Sequence, residues 1–239
     1  MIDILSAAWP YSGIRAFTTR NGGGLSAGPY GSLNLATHVD DRVQDVMANR
    51  ARLKEAQRLP NNPCWLRQVH SATVVDAAHP YPEPPTADGS FTISPGVVCA
   101  VLTADCLPIV LADRSARVVA VLHGGWRGLV GGIIEAGIRA LPTPPRTLVA
   151  WLGPAIGPAH YEVGPEVRAA FDKEAHMAFV ALRTGKYRAD LYALARWRLR
   201  AAGITEIYGG GLDTFHDESL YSFRREPVCG RMATVAWIV

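Results

Sequence analysis

Apolar residues along this chain fall into short runs separated by clusters of turn formers. Runs at 14–20 (IRAFTTR), 64–75 (CWLRQVHSATVV), 96–104 (GVVCAVLTA) and 106–112 (CLPIVLA) predict strands. Four more follow at 116–123 (ARVVAVLH), 147–153 (TLVAWLG), 204–210 (ITEIYGG) and 231–239 (RMATVAWIV). Most are rich in β-branched or aromatic residues, which suit a pleated, half-buried surface.

Helical spacing stands out at three places. Residues 40–59 open with an acidic cap and carry Val43, Val46, Met47 and Leu53 near one face. Residues 164–174 begin with Pro165, favoured in a first turn because its missing N–H would go unpaired there anyway. Residues 189–203 have Asp190 as N-cap, Gly203 as C-cap and an apolar face of Leu191, Leu194, Ala195 and Leu199. A shorter fourth helix is expected in 129–141. Strands outnumber helices and do not alternate with them, which predicts an α+β fold with mixed sheets rather than a doubly wound one. The segments 60–63, 81–89 and 141–146 read as loops, none long enough for a flexible linker, so one domain over 1–239 is expected.

Composition narrows the function classes. With 49% hydrophobic and 19% charged residues, the 239-residue chain reads as an ordinary globular protein. No apolar run reaches the roughly 18 residues of a membrane span, and the N-terminus lacks the basic and apolar regions of a secretion signal. Formal net charge is only +3, and three lysines (Lys54, Lys173, Lys186) among scattered arginines make no nucleic-acid tract. The four cysteines form no C-x-x-C pair, so reduced thiols and a cytoplasmic setting are expected.

Candidate chemistry concentrates in CLPIVLADRSARVVAVLH. Two apolar runs flank ADRSA, predicting a hairpin that turns at Arg114–Ser115 and sets Cys106 opposite His123. Directly opposed Cβ atoms lie about 4.5–5.5 Å apart. A lone cysteine in an apolar strand is ordinarily core. An opposed histidine leaves three roles open to it: filler, nucleophile or metal ligand. His70, alternating with Gln68, is either a third member of the group or a hydrogen-bonded structural histidine. The glycine-rich turn after His123 offers free N–H groups and Arg127 to an anion.

Taken in order, TRNGGGLSAGPYGSLNLATHVDD, QVHS, ADG, TADCLPI, HGGWRG, LGPAIGPAHYEVG and YSFRRE…GRMA resemble the YfiH-like family. That family is also labelled polyphenol oxidase or laccase-domain and includes the peptidoglycan editing factors. The resemblance runs from Phe17 to Trp237. It implies a single α+β domain of mixed sheets flanked by helices, with a fold like that of cysteine hydrolases. It also implies Zn2+ on His70, Cys106 and His123, with Cu2+ as the alternative ion at the same site. Three N/S ligands leave a tetrahedral ion one open position, as catalytic zinc sites do.

The activities implied are phosphorolysis of purine nucleosides (adenosine, inosine, methylthioadenosine) and hydrolytic deamination of adenosine. Arg20, Arg127, Arg224 and Arg225 are then candidate phosphate contacts, Asn34 and Gln68 candidate ribose or base contacts, and Asp105 a candidate proton shuttle. The partners expected are small molecules, with the chain a monomer or small homo-oligomer. Two alternatives use the same residues. In one, Cys106 is the nucleophile of an amidase editing peptidoglycan precursors, with His123 as base. In the other, copper gives a phenol oxidase side activity, although seven histidines without H-x-H pairs are too few for a multicopper set. The chain departs from the family pattern at Asp213, where a cysteine is frequent, and in GPAH, which also lacks a frequent cysteine.

Overall fold

The structure is a computed structural model and describes residues 2–239, the side chain of Glu174 apart. Strands β1 (Ile4–Ser6) and β2 (Ile14–Thr19) precede helix α1 (Val43–Ala56). Strands β3 (Val74–Asp76), β4 (Gly89–Thr92), β5 (Cys99–Thr103), β6 (Leu107–Asp113) and β7 (Val119–Gly124) follow. Helices α2 (Trp126–Val130) and α3 (Ile133–Ala140) lead to β8 (Leu148–Leu152), β9 (Glu162–Val163) and α4 (Pro165–Ala169). The chain ends with β10 (Phe179–Ala181), β11 (Tyr187–Ala189), α5 (Leu191–Ala201), β12 (Ile207–Gly209) and β13 (Met232–Ile238).

These strands make a four-stranded sheet ordered β1-β2-β13-β5, a six-stranded sheet ordered β12-β8-β6-β7-β4-β3 and a small sheet β10-β11-β9. The six-stranded sheet is mixed: β12 on β8 and β3 on β4 are parallel, the rest antiparallel. Period-2 alternation divides its residues between two cores. Val110 and Ala112 of β6, Val119 and Val121 of β7 and Val149 of β8 pack with Ile14, Val101, Ala236 and Ile238 of the four-stranded sheet. Their neighbours Ile109, Leu111, Leu122 and Leu148 pack on the other side with Ile133, Ile134 and Ile138 of α3 and Leu191, Leu194 and Leu199 of α5. The outer face of the four-stranded sheet, with Phe17, Leu102, Val235 and Trp237, is covered by Leu33, Leu35 and Leu53. Strands buried on both faces explain why the central runs read as continuously apolar.

Between β5 and β6 the chain leaves one sheet and enters the other, and Ala104–Cys106 is that corner. Asp105 sits there at φ 84, a left-handed conformation unusual outside glycine.

Several expectations need correction. The hairpin pairs Pro108, not Cys106, with His123, because the turn spans Arg114–Arg117 rather than Arg114–Ser115. Asp113 fixes that turn, its Oδ1 accepting the N–H groups of Arg117 at 2.5 Å and Val118 at 3.3 Å. The slip is two residues, so Cys106 stays on the face of His123, diagonally displaced. Residues 64–75 are mostly irregular: Cys64 and Arg67 make single bridges, and only β3 is regular. Helix α1 has Arg42 at its N-cap rather than an acidic residue. It buries Val46, Asn49 and Leu53 and leaves Val43 and Met47 exposed. Asn49 belongs inside because its amide donates to Ser26 Oγ, Ser32 O and Asn34 O. The helix at 164–174 stops at Ala169, where Phe171 turns into the core against Phe179. The helix at 129–141 is two helices, α2 and α3, broken at Gly131–Gly132 with Gly132 at φ 84. In α5, Asp190 is the N-cap as expected, its side chain accepting from Ala193 N; the C-cap is Ala202, with Gly203 following at φ 89.

Candidate functional site

At the sheet-switching corner, three side chains converge. His123 leaves the end of β7, Cys106 precedes β6, and His70 sits at φ 60 in the loop before β3. The Cys106 Sγ lies 3.9 Å from His70 Nε2, and the two imidazoles cross at 4.7 Å between centroids. One donor atom from each residue lies within 4.8 Å of the other two, and among the described residues this is the one such group of three. A thiolate and two imidazoles are the soft and borderline donors that zinc and copper prefer. Gly125 lies against the group: a Cβ there would stand 3.0 Å from both Cys106 Sγ and His70 Cδ2. Only glycine lets the backbone come this close.

Behind the group lies Asp88, fully buried. Its carboxylate accepts the N–H groups of Val69 (3.1 Å), His70 (2.9 Å) and Ser71 (2.6 Å), the Ser71 hydroxyl (2.8 Å) and His123 Nδ1–H (2.8 Å). Its backbone carbonyl also accepts His123 N–H at 2.7 Å. Burial alone would raise the Asp88 carboxyl, but the His123 and Ser71 hydrogen bonds hold it well below the usual carboxylate range. Burial likewise pushes the Cys106 thiol up; the His123 charge and hydrogen bonds from both histidines outweigh it and bring the thiol down. For His123 burial acts downward, and the Cys106 charge with the Asp88 hydrogen bond turn the net shift upward.

The other predicted residues divide. Asp105 is buried with both oxygens engaged, Oδ1 by the Thr214 hydroxyl and Oδ2 by Arg224 N–H, each at 2.6 Å. It ties three segments together beside Cys106. Gln68 is two residues from His70 but clamps β5, donating to Leu102 O and accepting from Leu102 N. Asn34 is not brought to the group. It is fully buried, its amide donating to Ala36 O and Asp41 and accepting from Ala36 N and Arg231 N. Arg20 is taken by Asp3 at 3.3 Å, Asp217 at 3.1 Å and Ser219. The Arg225 guanidinium donates to the carbonyls of Thr214, Phe215 and Leu220.

Like Arg225, Arg127 and Arg224 have no carboxylate within ion-pair distance among the described residues. Arg127 is exposed beside the Trp126 ring, and Arg224 stands 5.3 Å over the Tyr161 ring while donating to Glu162 O. Burial raises the Tyr161 hydroxyl, and the charges acting on it are those of Cys106, Arg224, Asp105 and Arg127. The sequence reading missed Asp88 and Tyr161, although both lie inside the quoted motifs ADG and AHYEVG.

The two departures from the family pattern meet in space. Asp213 Oδ2 accepts from His160 Nδ1 at 2.6 Å, and Oδ1 accepts Gly157 N–H at 2.8 Å and Phe215 N–H at 3.0 Å. The His160 ring stacks on Phe215 at 4.4 Å.

Fold and site together define a class: an α+β protein in which a mixed and an antiparallel sheet stack, with a cysteine–histidine cluster where the chain changes sheets. The family described as multi-copper polyphenol oxidoreductase laccase matches residues 14–239, and the chain belongs to it. A protein of Pseudomonas aeruginosa named purine nucleoside phosphorylase is 47% identical, covering 98% of each chain. The Escherichia coli purine nucleoside phosphorylase YfiH is 43% identical over the whole of both. Among solved structures, Neisseria meningitidis protein NMB0706 superposes with a TM-score of 0.95 at 42% identity, covering 98% of both chains. YlmD from Geobacillus stearothermophilus gives 0.89 at 32% identity, over 97% of this chain and 94% of that one.

Proposed function

We propose that the chain is a metal-dependent purine nucleoside phosphorylase, with hydrolytic deamination of adenosine as a second activity. Its substrates are small molecules of the cytoplasm, and the whole of residues 1–239 forms the catalytic unit, as a monomer or small homo-oligomer. The observation that carries this reading is the convergence of His70, Cys106 and His123 within 4.8 Å, in a chain whose relatives bear that name. The donor set fits Zn2+, which would supply a Lewis acid with one coordination position left open. Copper fits the same donors. Three donors hold one ion, so the several coppers of the family description find no matching ligand set among the described residues.

The chain's own residues then have separable tasks. Arg127 and Arg224 bind phosphate, since neither faces a carboxylate within ion-pair distance, Arg127 is exposed just after the glycine-rich turn, and Arg224 N–H is held by Asp105 beside Cys106. Their charge offsets that of the phosphate oxygen as it approaches the ribose C1′. As that bond forms, the bond from C1′ to the purine nitrogen breaks and its electron pair leaves with the base. Asp105, with both oxygens committed, positions Arg224 and the corner that presents Cys106 rather than moving a proton.

A second reading has an observation of its own. Cys106, His123 and Asp88 stand in the order of nucleophile, base and orienting carboxylate, as in a cysteine amidase editing peptidoglycan precursors. The two readings part on metal. Metal analysis is paired with HPLC of adenosine and phosphate incubations for wild type and Cys106→Ala. The first reading predicts near-stoichiometric metal and the release of adenine, hypoxanthine or inosine. It also predicts that Cys106→Ala loses more than the about 10–100-fold that removal of an outer partner costs. Metal-free protein that leaves adenosine intact and cleaves a UDP-MurNAc-L-Ser conjugate overturns it.

A further inference from the structure

We infer that Asp88 is the positioning residue that assembles the metal centre, setting both histidines through one carboxylate before any ion arrives. The inference rests on reading His70, Cys106 and His123 as metal ligands. His123 must offer Nε2 to the ion, and an Nδ1–H held at 2.8 Å by Asp88 keeps Nε2 as the nitrogen that gives up its proton when the ion binds. His70 needs a left-handed backbone, which a non-glycine residue keeps only when its surroundings impose it. Three successive N–H groups, of Val69, His70 and Ser71, all point at the same carboxylate and impose that turn. Oδ1 serves His70 N–H and His123 Nδ1–H together, so the two ligands are referenced to a single atom. The Asp88 carbonyl adds a third restraint by extending the ladder to His123 N–H. No other carboxylate within ion-pair or hydrogen-bond reach of either imidazole is found among the described residues.

An asparagine at this position has the same shape and one acceptor fewer. Its NH2 would face either an N–H of the loop or the Nδ1–H of His123, leaving a buried donor unpaired. The site would still contain all three ligands but would not hold them in register.

The test is Co2+ titration of the metal-stripped full chain, read by the thiolate-to-cobalt charge-transfer band and the visible ligand-field bands. Wild type is expected to bind one Co2+ with both signals. Asp88→Asn is expected to bind at least tenfold more weakly with an altered ligand-field spectrum, as outer partners of metal ligands typically contribute about 10–100-fold. Asp113→Asn is the control for general destabilisation. It removes another buried carboxylate that holds backbone N–H groups, at the far end of the hairpin. That variant should unfold at lower temperature and bind Co2+ like wild type. If Asp88→Asn does not fold, Asp88→Glu, which keeps the charge but displaces it, carries the same expectation. A wild type that takes up no Co2+ overturns the metal reading and this role with it. A wild type that binds, beside a folded Asp88 variant with equal affinity and an identical spectrum, overturns the role of Asp88 alone.

Discussion

Cys106 carries two opposed influences, and their balance is measurable. Burial favours the neutral thiol, while the imidazolium of His123 and two histidine hydrogen bonds favour the thiolate. The partners win because both histidine nitrogens lie within 4.8 Å of the sulfur, and His123, the charged one, is buried. In metal-stripped protein, iodoacetamide should therefore modify Cys106 with a pH midpoint well below the ordinary thiol value of about 8.5. Because the shift is downward, thiolate persists as pH falls through neutrality, and the rate stays flat where a free thiol's would drop about tenfold per unit. Added Zn2+ should abolish the modification, and His123→Ala should move the midpoint back up. A midpoint at or above the ordinary thiol value would mean that the pairing does not exist in solution. Cys99, fully buried on β5 and pushed upward by that burial, should stay unmodified in the same experiment.

At the scale of elements, the central strands were legible because each alternates between two apolar cores. Their facing was legible too, since a two-residue slip in the β6–β7 register leaves every side chain on its own side. The register itself was not, because it depends on how Asp113 gathers N–H groups and on Ala116 adopting φ 54. Strands β9 to β11 span two or three residues each and leave no periodic trace. Residues 64–75 misled because they are rich in apolar and β-branched residues as a strand is, while their polar side chains do much of the pairing. Gln68 takes the place of a strand partner on Leu102. The loop carrying Asp213 is pinned in the same manner, by side chain to backbone. Asp213→Ala removes acceptors for Gly157 N–H, Phe215 N–H and His160 at a position still about one-fifth exposed. It should cost about 1–2 kcal/mol in chemical denaturation, solvent exposure trimming the hydrogen-bond contribution. Metal content should not change. An unaltered denaturation midpoint would show that the loop is held by packing alone.

Across the whole molecule, the site exists because the chain changes sheets. The corner at Ala104–Cys106 carries the thiol, the end of β7 the buried imidazole, and the loop into β3 the exposed one. Cys106 and His123 were legible because they are close in sequence and share a hairpin face. His70 was one of two open readings until the resemblance made it a ligand, and Asp88 came with neither spacing nor resemblance, since its role lies in five hydrogen bonds that no spacing announces. The arginines predicted for phosphate could be sorted only by their partners: Arg20 is paired with two carboxylates, Arg225 gives its guanidinium to three carbonyls, Arg224 gives one nitrogen to the carbonyls of His160 and Glu162, and Arg127 lies exposed over the Trp126 ring. If His70, Cys106 and His123 hold one ion, zinc X-ray absorption on the purified full chain should show about one zinc per chain, with one sulfur at ~2.3 Å and two imidazole nitrogens at ~2.0–2.1 Å in its shell. A shell without sulfur, or protein that takes up no zinc, would contradict that arrangement.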